Sequence, residues 1–451
     1  MQKICKYAIL GITFLHVIHI VTPLYESVLA CLTLVLFLFG LPAQKKGFRT
    51  ITLFFLLFGM GILIAYKLPF SIWVSSLNSM TNIIAIIVVM QLFAMPIEVG
   101  KYGDAVEYWL KRLFQKESSL YLFAMVVTNL FSSFLLFGTV PVMVALFDKA
   151  LKNSISEYKR FFATAIMRGY TLVLFWAPGA VMILLVMQVT HVKWSELFVP
   201  GLMISIVGLI TSYLIEHFSG LNKPILNHIA LPLSITHREA SYKSLHIILV
   251  ILGLISSITL LEILGIGTST GRILLAGFIV STVWILYYAK HTALPRVMKI
   301  YWQGGITQAT DFSIFFIAVG LFAGAVDHSG ILELIQPLLQ ESVNHLGIFA
   351  LVIIPVVFIA IAVCGIHPFV LVVMLGKILL ALTLPLNNVS IALILMLSSA
   401  IAFIISPFAG MSLMTAKFLH VTPFDVSIRW NLLFCILFLI EGLIFAYVWS
   451  L

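Results

Sequence analysis

The 451-residue chain is 62% hydrophobic and only 10% charged, which is too little charge to cover the surface of a soluble domain. The net charge of +9 comes from Lys and Arg in a few short loops, a pattern that sets membrane topology and does not indicate a nucleic-acid partner. The composition therefore predicts an all-α polytopic membrane protein.

Eleven transmembrane helices are predicted along the chain from runs of about 20 apolar residues. Two further apolar regions, 119–148 and 346–383, are too long for one simple crossing and too short for two. The eleven spans lie at roughly 6–23, 26–42, 50–66, 79–98, 159–188, 197–217, 244–264, 271–289, 309–326, 391–417 and 429–450.

The basic loops predict how the two long apolar regions enter the membrane. Loops rich in Lys and Arg flank 119–148, whereas the loops that flank 346–383 contain neither residue. Because Lys and Arg favour the cytoplasmic side, the first region is expected to enter and return on that face as a re-entrant hairpin, and the second on the exterior face. The basic N-terminus is then cytoplasmic in a multi-pass protein of the cell membrane.

The two halves of the chain match at nearly constant offsets. The sequence GTVP at 138–141 recurs 227 residues later as GIHP at 365–368. Pro178 and Pro407 are each followed 13 residues later by a histidine. Matches in the same order at similar offsets indicate an internal repeat.

We interpret the chain as two repeats, 26–217 and 244–451, each with five spans and one hairpin. An odd number of crossings inverts the second copy, which is an architecture of secondary transporters. Residues 1–25 form an extra N-terminal helix, and residues 218–243 form a cytoplasmic linker.

Glycine and proline inside these apolar segments predict interrupted helices at membrane depth. Gly permits a positive φ, and Pro removes an N–H and frees the carbonyl four residues back. Such backbone is tolerated only where protein covers it or where it lines a wet cavity. Freed carbonyls suit a cation, and half-helix N-termini favour an anion. The two hairpin tips and the two Pro-broken helices are therefore expected to meet at one binding site.

The order of hairpin, broken helix and closing span resembles the ion transporter superfamily, which includes the divalent-anion/sodium symporters and the arsenite permeases. The resemblance covers most of 26–450. It implies a transporter whose hairpin-bearing units move, often in a homodimer held by the other helices. The symporters carry Ser-Asn-Thr at their hairpin tips and tend to carry Thr-Pro-Pro in their broken helices. Here the tips read NLFSSFLLFGTVP and AVCGIHP, and the broken helices carry APG and SPFAG.

Polar residues in the first hairpin are candidate ligands. Asn129, Ser132, Ser133 and Thr139 supply oxygen atoms and donors for an ion or a solute at membrane depth. The alternative is that the hydroxyls bond carbonyls of their own helix, which is common in membranes. The remaining candidates are the chain breakers and the hydroxyls around them: Gly138, Pro141, Pro178, Gly365, Pro368, Ser406, Pro407, Ser412 and Thr415.

Two ionisable residues complete the candidate site. His367, at the second hairpin tip, suits a proton-coupled step or a switchable anion contact. Alternatively, it is a neutral ring that caps a loose carbonyl. Arg168, ten residues before Pro178, either lines an inner vestibule and attracts an anion or extends to the cytoplasmic interface.

These features favour an ion-coupled secondary transporter that moves a small polar or anionic solute by alternating access. The coupling ion is Na⁺ or H⁺, and no other cofactor is expected. A membrane-embedded enzyme requires a metal motif or a nucleophile motif within the membrane, and no HExxH or GxSxG lies inside a predicted span. The alternatives are a flippase or exporter of a lipid-linked or amphipathic substrate, and an anion channel. The expected partners are the solute, membrane lipid and a second copy of the chain.

Overall fold

Helices form the framework of the described residues, which contain no β-strand. The computed structural model describes residues 2–19, 22, 26–44, 46–112, 114, 116–135, 138–151, 154–219, 223, 225 and 235–451. Most of the predicted linker 218–243 and the ends of the predicted segment 1–25 lie outside these residues.

Twenty-two α-helices are defined within the described residues. The first six are α1 Gln2–Ile18, α2 Glu26–Gly40, α3 Lys46–Ala65, α4 Phe70–Asn78, α5 Thr81–Gln91 and α6 Ala94–Val99. The next six are α7 Tyr102–Arg112, α8 Glu117–Leu135, α9 Thr139–Leu151, α10 Tyr158–Leu172, α11 Val181–Thr190 and α12 Trp194–Phe218.

The second half of the chain continues the series and includes two π-helical turns, Tyr301–Gly305 and Asp425–Arg429. Its first five helices are α13 His237–Ile263, α14 Ser269–Tyr287, α15 Leu294–Ile300, α16 Ile306–Ser329 and α17 Ile331–Leu346. The last five are α18 Ala350–Val363, α19 Pro368–Ala381, α20 Asn388–Ile405, α21 Gly410–Leu419 and α22 Trp430–Ser450.

The predicted all-α membrane architecture is confirmed. Each of the eleven predicted spans overlaps one or more helices, and nine helical segments of the described chain are long and apolar enough to cross a membrane. Three predicted spans fall outside those nine, namely those at α1, at α3 and at the broken pair α10–α11. The helix α17 was not predicted, since it lies in a polar stretch that was interpreted only as an exterior loop.

Both long apolar regions are divided at their Gly-x-x-Pro sequences. The first becomes α8 and α9, and the second becomes α18 and α19. The helix α8 has 19 residues and is long enough to cross a membrane by itself, whereas α18 and α19 have 14 residues each. The return of each region to the face that it entered stays a prediction.

The chain divides into two compact units that each draw on both halves of the sequence. The first unit contains Met1–Val99, Leu252–His345 and Ala381–Thr383. The second unit contains Gly100–Ile251, Leu346–Leu380 and Leu384–Leu451. All fifteen candidate site residues lie in the second unit. The predicted repeat boundaries stay a prediction.

In the first unit, α16 is the central helix. It packs along α3, α4 and α5. Small residues allow this packing, because a Cβ at Gly320 would lie 2.7 Å from the hydroxyl of Ser79 and a Cβ at Gly59 would lie 2.9 Å from the backbone of Phe322. Close approach through small residues is a common way to pack helices in membranes.

In the second unit, α20 is the central helix, and nearly all of its residues are buried. It packs against α18, α11 and α22. The outer face of α22 is exposed and apolar at Leu433, Ile440 and Ile444, as expected of a surface that faces lipid. This arrangement places both broken helices, α10–α11 and α20–α21, inside the unit.

Two pairs of equivalent helices begin at the same distance in the sequence. The starts of α9 and α19 are 229 residues apart, and so are the starts of α11 and α21. The helices α11 and α21 both end at a histidine with a positive φ, His191 at 56° and His420 at 52°. The halves thus carry the same succession of interrupted helices, and the inversion of one copy stays a prediction.

Candidate functional site

The first broken helix is hydrogen-bonded to α8 by the buried side-chain amide of Asn129. The side chain of Asn129 on α8 donates to the carbonyl of Gly169 on α10 over 3.0 Å and accepts from the indole N–H of Trp176 over 3.1 Å. The carbonyl of Trp176 in turn accepts from the indole of Trp194 over 3.1 Å. Asn129 therefore joins α8 to the broken helix α10–α11, and its polar atoms are occupied by protein.

The second broken helix has a weaker equivalent contact. The hydroxyl of Ser406, next to Pro407, donates to the carbonyl of Ala362 on α18 over 3.3 Å. As in the first half, the hydrogen bond links a hairpin to the broken helix that follows it. The hydroxyl of Ser406 thus connects two helices in the second half, as the side chains of Asn129 and Trp176 do in the first half.

Several candidate hydroxyls bond their own helices. Ser132 donates to the carbonyl of Thr128 over 2.6 Å, and Ser133 donates to the carbonyl of Leu130 over 2.7 Å. Thr415 contacts the sulfur of Met167 at 3.6 Å. The contacts of Ser132 and Ser133 follow the structural alternative that we raised for the hydroxyls, whereas that of Thr415 joins α21 to α10. As solute ligands, the three residues stay a prediction.

Two candidate hydroxyls differ from the others. The hydroxyls of Thr139 and Ser412 belong to side chains that are 0% exposed, and neither has a hydrogen-bond partner within the described part of the chain. Thr139 is the first residue of α9 and Ser412 is the third residue of α21. Each therefore lies in a first helical turn, where backbone N–H groups have no partner in their own helix.

The helices α9 and α21 run in the same direction. They pack against each other, and both pack against α10. The C-terminal part of α9 lies at the start of α10, where the rings of Phe147 and Phe162 are 5.5 Å apart. The end of α21 lies there too, because Lys159 donates to the carbonyl of His420 over 3.4 Å. The two N-terminal ends therefore point toward the same level of the second unit, and their dipoles add there.

Arg168 is fully buried and its donors are occupied by protein groups. The guanidinium lies 3.1 Å from the carboxylate of Glu216 and donates to the side chain of Asn431 over 2.7 Å. It also donates to the hydroxyls of Tyr121 and Ser212 over 3.3 Å and 3.1 Å. Glu216 binds Arg160 as well, over 2.9 Å. Arg168 thus connects α8, α10, α12 and α22, and a direct contact with solute stays a prediction.

The second hairpin tip has an aromatic environment. The ring of His367 lies 4.6 Å from the ring of Phe369 and 5.6 Å from that of Phe403. Its Nδ1 accepts from the backbone N–H of Phe369 over 3.3 Å, which is a local cap of the start of α19. Gly365 has a φ of 104°, which only glycine adopts without strain. Gly365 therefore turns the chain as its type predicted.

A small cavity lies among the interrupted helices of the second unit. It has room for about one water molecule. One polar hydroxyl, that of Ser132, and the phenol ring of Tyr170 contribute to a lining that is otherwise apolar. The other lining residues are Val173, Leu174, Ala180, Val181, Met182, Phe369 and Phe403. This conformation encloses no space for a larger solute at that point.

Two carboxylates were not among the predicted candidates. Glu216 forms the buried ion pairs just described, and Glu441 lies in the middle of α22, where it accepts from the hydroxyl of Thr211. The sequence signal was present, since acidic residues inside apolar spans are rare and usually functional. A search for such residues in LIEGLIF would have found Glu441.

Comparison with solved structures gives the fold an independent reference. The chain superposes on the YdaH transporter of Alcanivorax borkumensis, described as having an unusual topology, with a TM-score of 0.64, 13% identity and coverage of 88% of this chain and 98% of that one. The fold is that of membrane transporters. Neisseria gonorrhoeae MtrF, described as one of a class of antimetabolite efflux pumps, also matches, with a TM-score of 0.56, 13% identity and coverage of 90% and 98%.

No family model matches the sequence, and no curated protein matches it either. At 13% identity the two structural matches show the fold alone. Together with the apolar helices they identify a multi-pass membrane protein whose architecture is found in transport proteins.

Proposed function

We propose that the chain is an ion-coupled secondary transporter of the cell membrane that moves a small polar or anionic solute by alternating access. The observation that carries this proposal is the pair of buried hydroxyls, Thr139 and Ser412, without hydrogen-bond partners in the described part of the chain. A buried polar group without a partner is costly, so a native structure that keeps one in the first turn of each of two packed helices needs a reason. A bound solute provides one.

The parallel half-helices indicate the charge of that solute. The first turns of α9 and α21 present free N–H groups, and their dipoles place partial positive charge at the same level. Hydroxyl donors and helix N-termini together form an anion-binding environment. A carboxylate or a similar small anionic group is therefore the chemistry that we assign to the solute.

The closed cavity supports alternating access. Residues of α8, α10, α11, α19 and α20 leave room for about one water molecule among them, so a solute reaches that level only if these helices separate. In the proposed topology, with the N-terminus in the cytoplasm and two opposed re-entrant hairpins, separation on one side and then the other exposes the site to each compartment. We further propose that the chain works as a homodimer and belongs to the ion transporter superfamily.

Reporter fusions test the proposed topology. A cytoplasmic reporter signal at residue 230 and an exterior signal at residue 385 are expected. A cytoplasmic signal at residue 385 would remove the second hairpin from the account.

Flux in proteoliposomes tests the function. We expect uptake or efflux of at least one member of a panel of small mono- and dicarboxylates, driven by an imposed proton or sodium gradient. Thr139→Val and Ser412→Ala are each expected to reduce that flux about 10-fold or more, because a lost hydrogen bond to a charged group is worth about 1.5–3 kcal/mol.

Ser313→Ala is the matched control, since this residue was not among the candidates and its buried hydroxyl donates to the carbonyl of Ala309 in its own helix. Its flux is expected to stay close to that of the wild type. Flux that ignores both gradients would remove ion coupling. An equal loss in all three variants, or in none, would remove this site.

A second candidate is export of an amphipathic solute. The apolar and aromatic lining of the cavity, with Tyr170, Phe369 and Phe403, favours it. Adding aromatic carboxylates to the same panel distinguishes the two, because a preference for these over aliphatic acids of equal charge indicates that the apolar lining contributes to binding.

A further inference from the structure

Glu441 is an acidic residue near the middle of a membrane-spanning helix. It lies 11 residues after Trp430 and 9 residues before Ser450, the ends of α22. At about 1.5 Å per residue, the carboxyl is about 16 Å from one end of the helix and about 14 Å from the other. That depth corresponds to the centre of a hydrocarbon core about 30 Å thick.

Within the part of the chain that the structure describes, Glu441 accepts hydrogen bonds from one side chain. The hydroxyl of Thr211 on α12 lies 2.8 Å and 2.7 Å from the two carboxyl oxygens, and it has a single proton to share between them. Close helix packing creates this contact. A Cβ at Gly208, one turn before Thr211, would lie 2.8 Å from the ring of Phe438, and a Cβ at Gly442 would lie 2.6 Å from Leu397 on α20.

The charged and titratable groups on the neighbouring helices are engaged elsewhere. On α12, Glu216 binds Arg160 and Arg168 of α10, and His217 contacts Ser118. In the π-helical turn before α22, Asp425 binds Arg429. The helix α20 contains no ionisable side chain. Among the residues that the structure describes, no Lys, Arg or His forms an ion pair with Glu441.

Glu216 and Glu441 therefore differ sharply. Two arginines neutralise Glu216, and the pair is a fixed part of the unit. Glu441 has only a neutral hydroxyl and stands at the edge of the lipid-facing surface of α22, half-buried between Leu437 and Ile444. An unpaired carboxylate is expensive in such a setting, whereas a protonated carboxyl adds a donor and carries no charge.

We propose that Glu441 binds the proton that couples transport to the proton gradient. This inference rests on the proposed function and names its coupling ion. Binding forms an O–H bond on one carboxyl oxygen, and release breaks that bond and passes the proton to water on the accessible side. The ionised carboxylate requires hydration, so it favours an arrangement in which α12 and α22 admit water. The neutral carboxyl favours the closed packing seen here.

The position of Glu441 links the proton to the site. The adjacent Gly442 packs against Leu397 of α20, and α20 is the helix that breaks at Ser406 before α21 and Ser412. Movement of α22 relative to α20 is therefore transmitted through α20 to the adjoining α21, which carries the proposed solute ligand Ser412. Only a differential effect of the proton on the two arrangements is needed for coupling.

A pH jump tests the proposal with the proton itself as the probe. Proteoliposomes are adsorbed on a supported membrane, and the charge displaced by a step from alkaline to mildly acidic buffer is recorded without any solute. The wild type is expected to give a transient displacement, and Glu441→Gln is expected to abolish it. Glu341→Gln, at an exposed position on α17, is the matched control and should retain the wild-type signal.

Labelling of the wild-type protein provides a second measurement that needs no variant to fold. An apolar carbodiimide, which reacts with protonated carboxyls within membranes, is expected to modify Glu441 increasingly as the pH falls, as read by mass spectrometry of the intact chain and its peptides. Glu216 is expected to remain unmodified. A signal that survives in Glu441→Gln, or no modification of Glu441 at any pH, would overturn the proposal.

The outcomes separate this proposal from the proposed function. Sodium-driven flux that Glu441→Gln leaves unchanged would overturn the proton site and keep the transporter. A Glu441-dependent pH signal, with no flux of any solute in the panel, would keep the proton site and overturn the assigned solute class.

Discussion

At the first Gly-x-x-Pro break, Thr139 is buried with no hydrogen-bond partner among the described residues, and Asn129 and Trp176 brace the adjoining broken helix. At the second break, Gly365 and Ile366 are exposed and His367 packs beside two phenyl rings. The same four-residue pattern at equivalent places in the chain thus carries a buried hydroxyl in one half and an aromatic cluster in the other.

This difference shows that a repeat in sequence does not impose a symmetric site. The chain breakers decide where a helix stops, since that depends on local backbone chemistry. The environment of that helix end depends on side chains from helices that are distant in the sequence. We infer that the first break supplies polar contacts to the solute and that the second supplies an apolar wall.

The largest expected effect concerns the charge network behind the first break. Arg168→Met removes a partner of the buried Glu216 and should lower the free energy of unfolding by about 3–5 kcal/mol. Arg429→Met removes an exposed ion pair with Asp425 and should cost about 0–1 kcal/mol. Chemical denaturation of the purified protein measures both. Equal losses in the two variants would contradict the structural role given to Arg168.

The second effect compares the two glycines directly. Gly365→Ala places a side chain at a φ of 104° and should cost about 1–3 kcal/mol. Gly138→Ala should cost less than about 1 kcal/mol, since the nearest atom to a new Cβ, in Leu135, is 3.9 Å away. The midpoint of thermal unfolding distinguishes the two variants. A larger loss of stability in Gly138→Ala than in Gly365→Ala would contradict the view that only Gly365 requires a glycine for its backbone conformation.

The third effect compares the braces of the two broken helices. Asn129→Ala removes hydrogen bonds to Gly169 and Trp176 and should cost about 1–2 kcal/mol, because each such bond in a membrane is worth about 0.6 kcal/mol and the partners lose theirs too. Ser406→Ala removes one long hydrogen bond and should cost about 0.5 kcal/mol. A larger loss of stability in Ser406→Ala than in Asn129→Ala, as measured by chemical denaturation, would contradict the stabilising role given to Asn129.

The smallest effect concerns hydroxyls that bond only their own helix. Ser399 donates to the carbonyl of Leu395 over 2.7 Å, and Ser399→Ala should change the free energy of unfolding by no more than about 0.5 kcal/mol. Solute flux should stay at the wild-type level. A large loss of flux would show that this part of α20 contacts the solute.

The sequence predicted the helical architecture and the places of the breaks well, because both follow from local properties. Apolar runs reveal spans, and Gly138, Pro141, Gly365 and Pro368 interrupt them by their own backbone chemistry. The helix α17 was missed because its polar face resembles a loop when only hydropathy and charge are considered.

The contacts of the candidate site could not be predicted in the same way. Asn129, Ser132, Thr139 and Ser412 are all polar residues beside a break, and nothing local tells which of them bonds its own helix. Arg168 depends on Glu216 and Asn431, which are 48 and 263 residues away in the chain. Which polar atoms remain able to form a hydrogen bond with a ligand depends on the packing of distant helices in the folded unit.

A double-mutant cycle on solute binding tests the central claim most directly. For a panel member that shows gradient-driven flux, the dissociation constant is measured for the wild type, Thr139→Val, Ser412→Ala and the double variant. Two hydroxyls that hold one anionic group should be coupled by about 0.5 kcal/mol or more. Strictly additive losses, or no loss in either single variant, would contradict a shared site at the ends of α9 and α21.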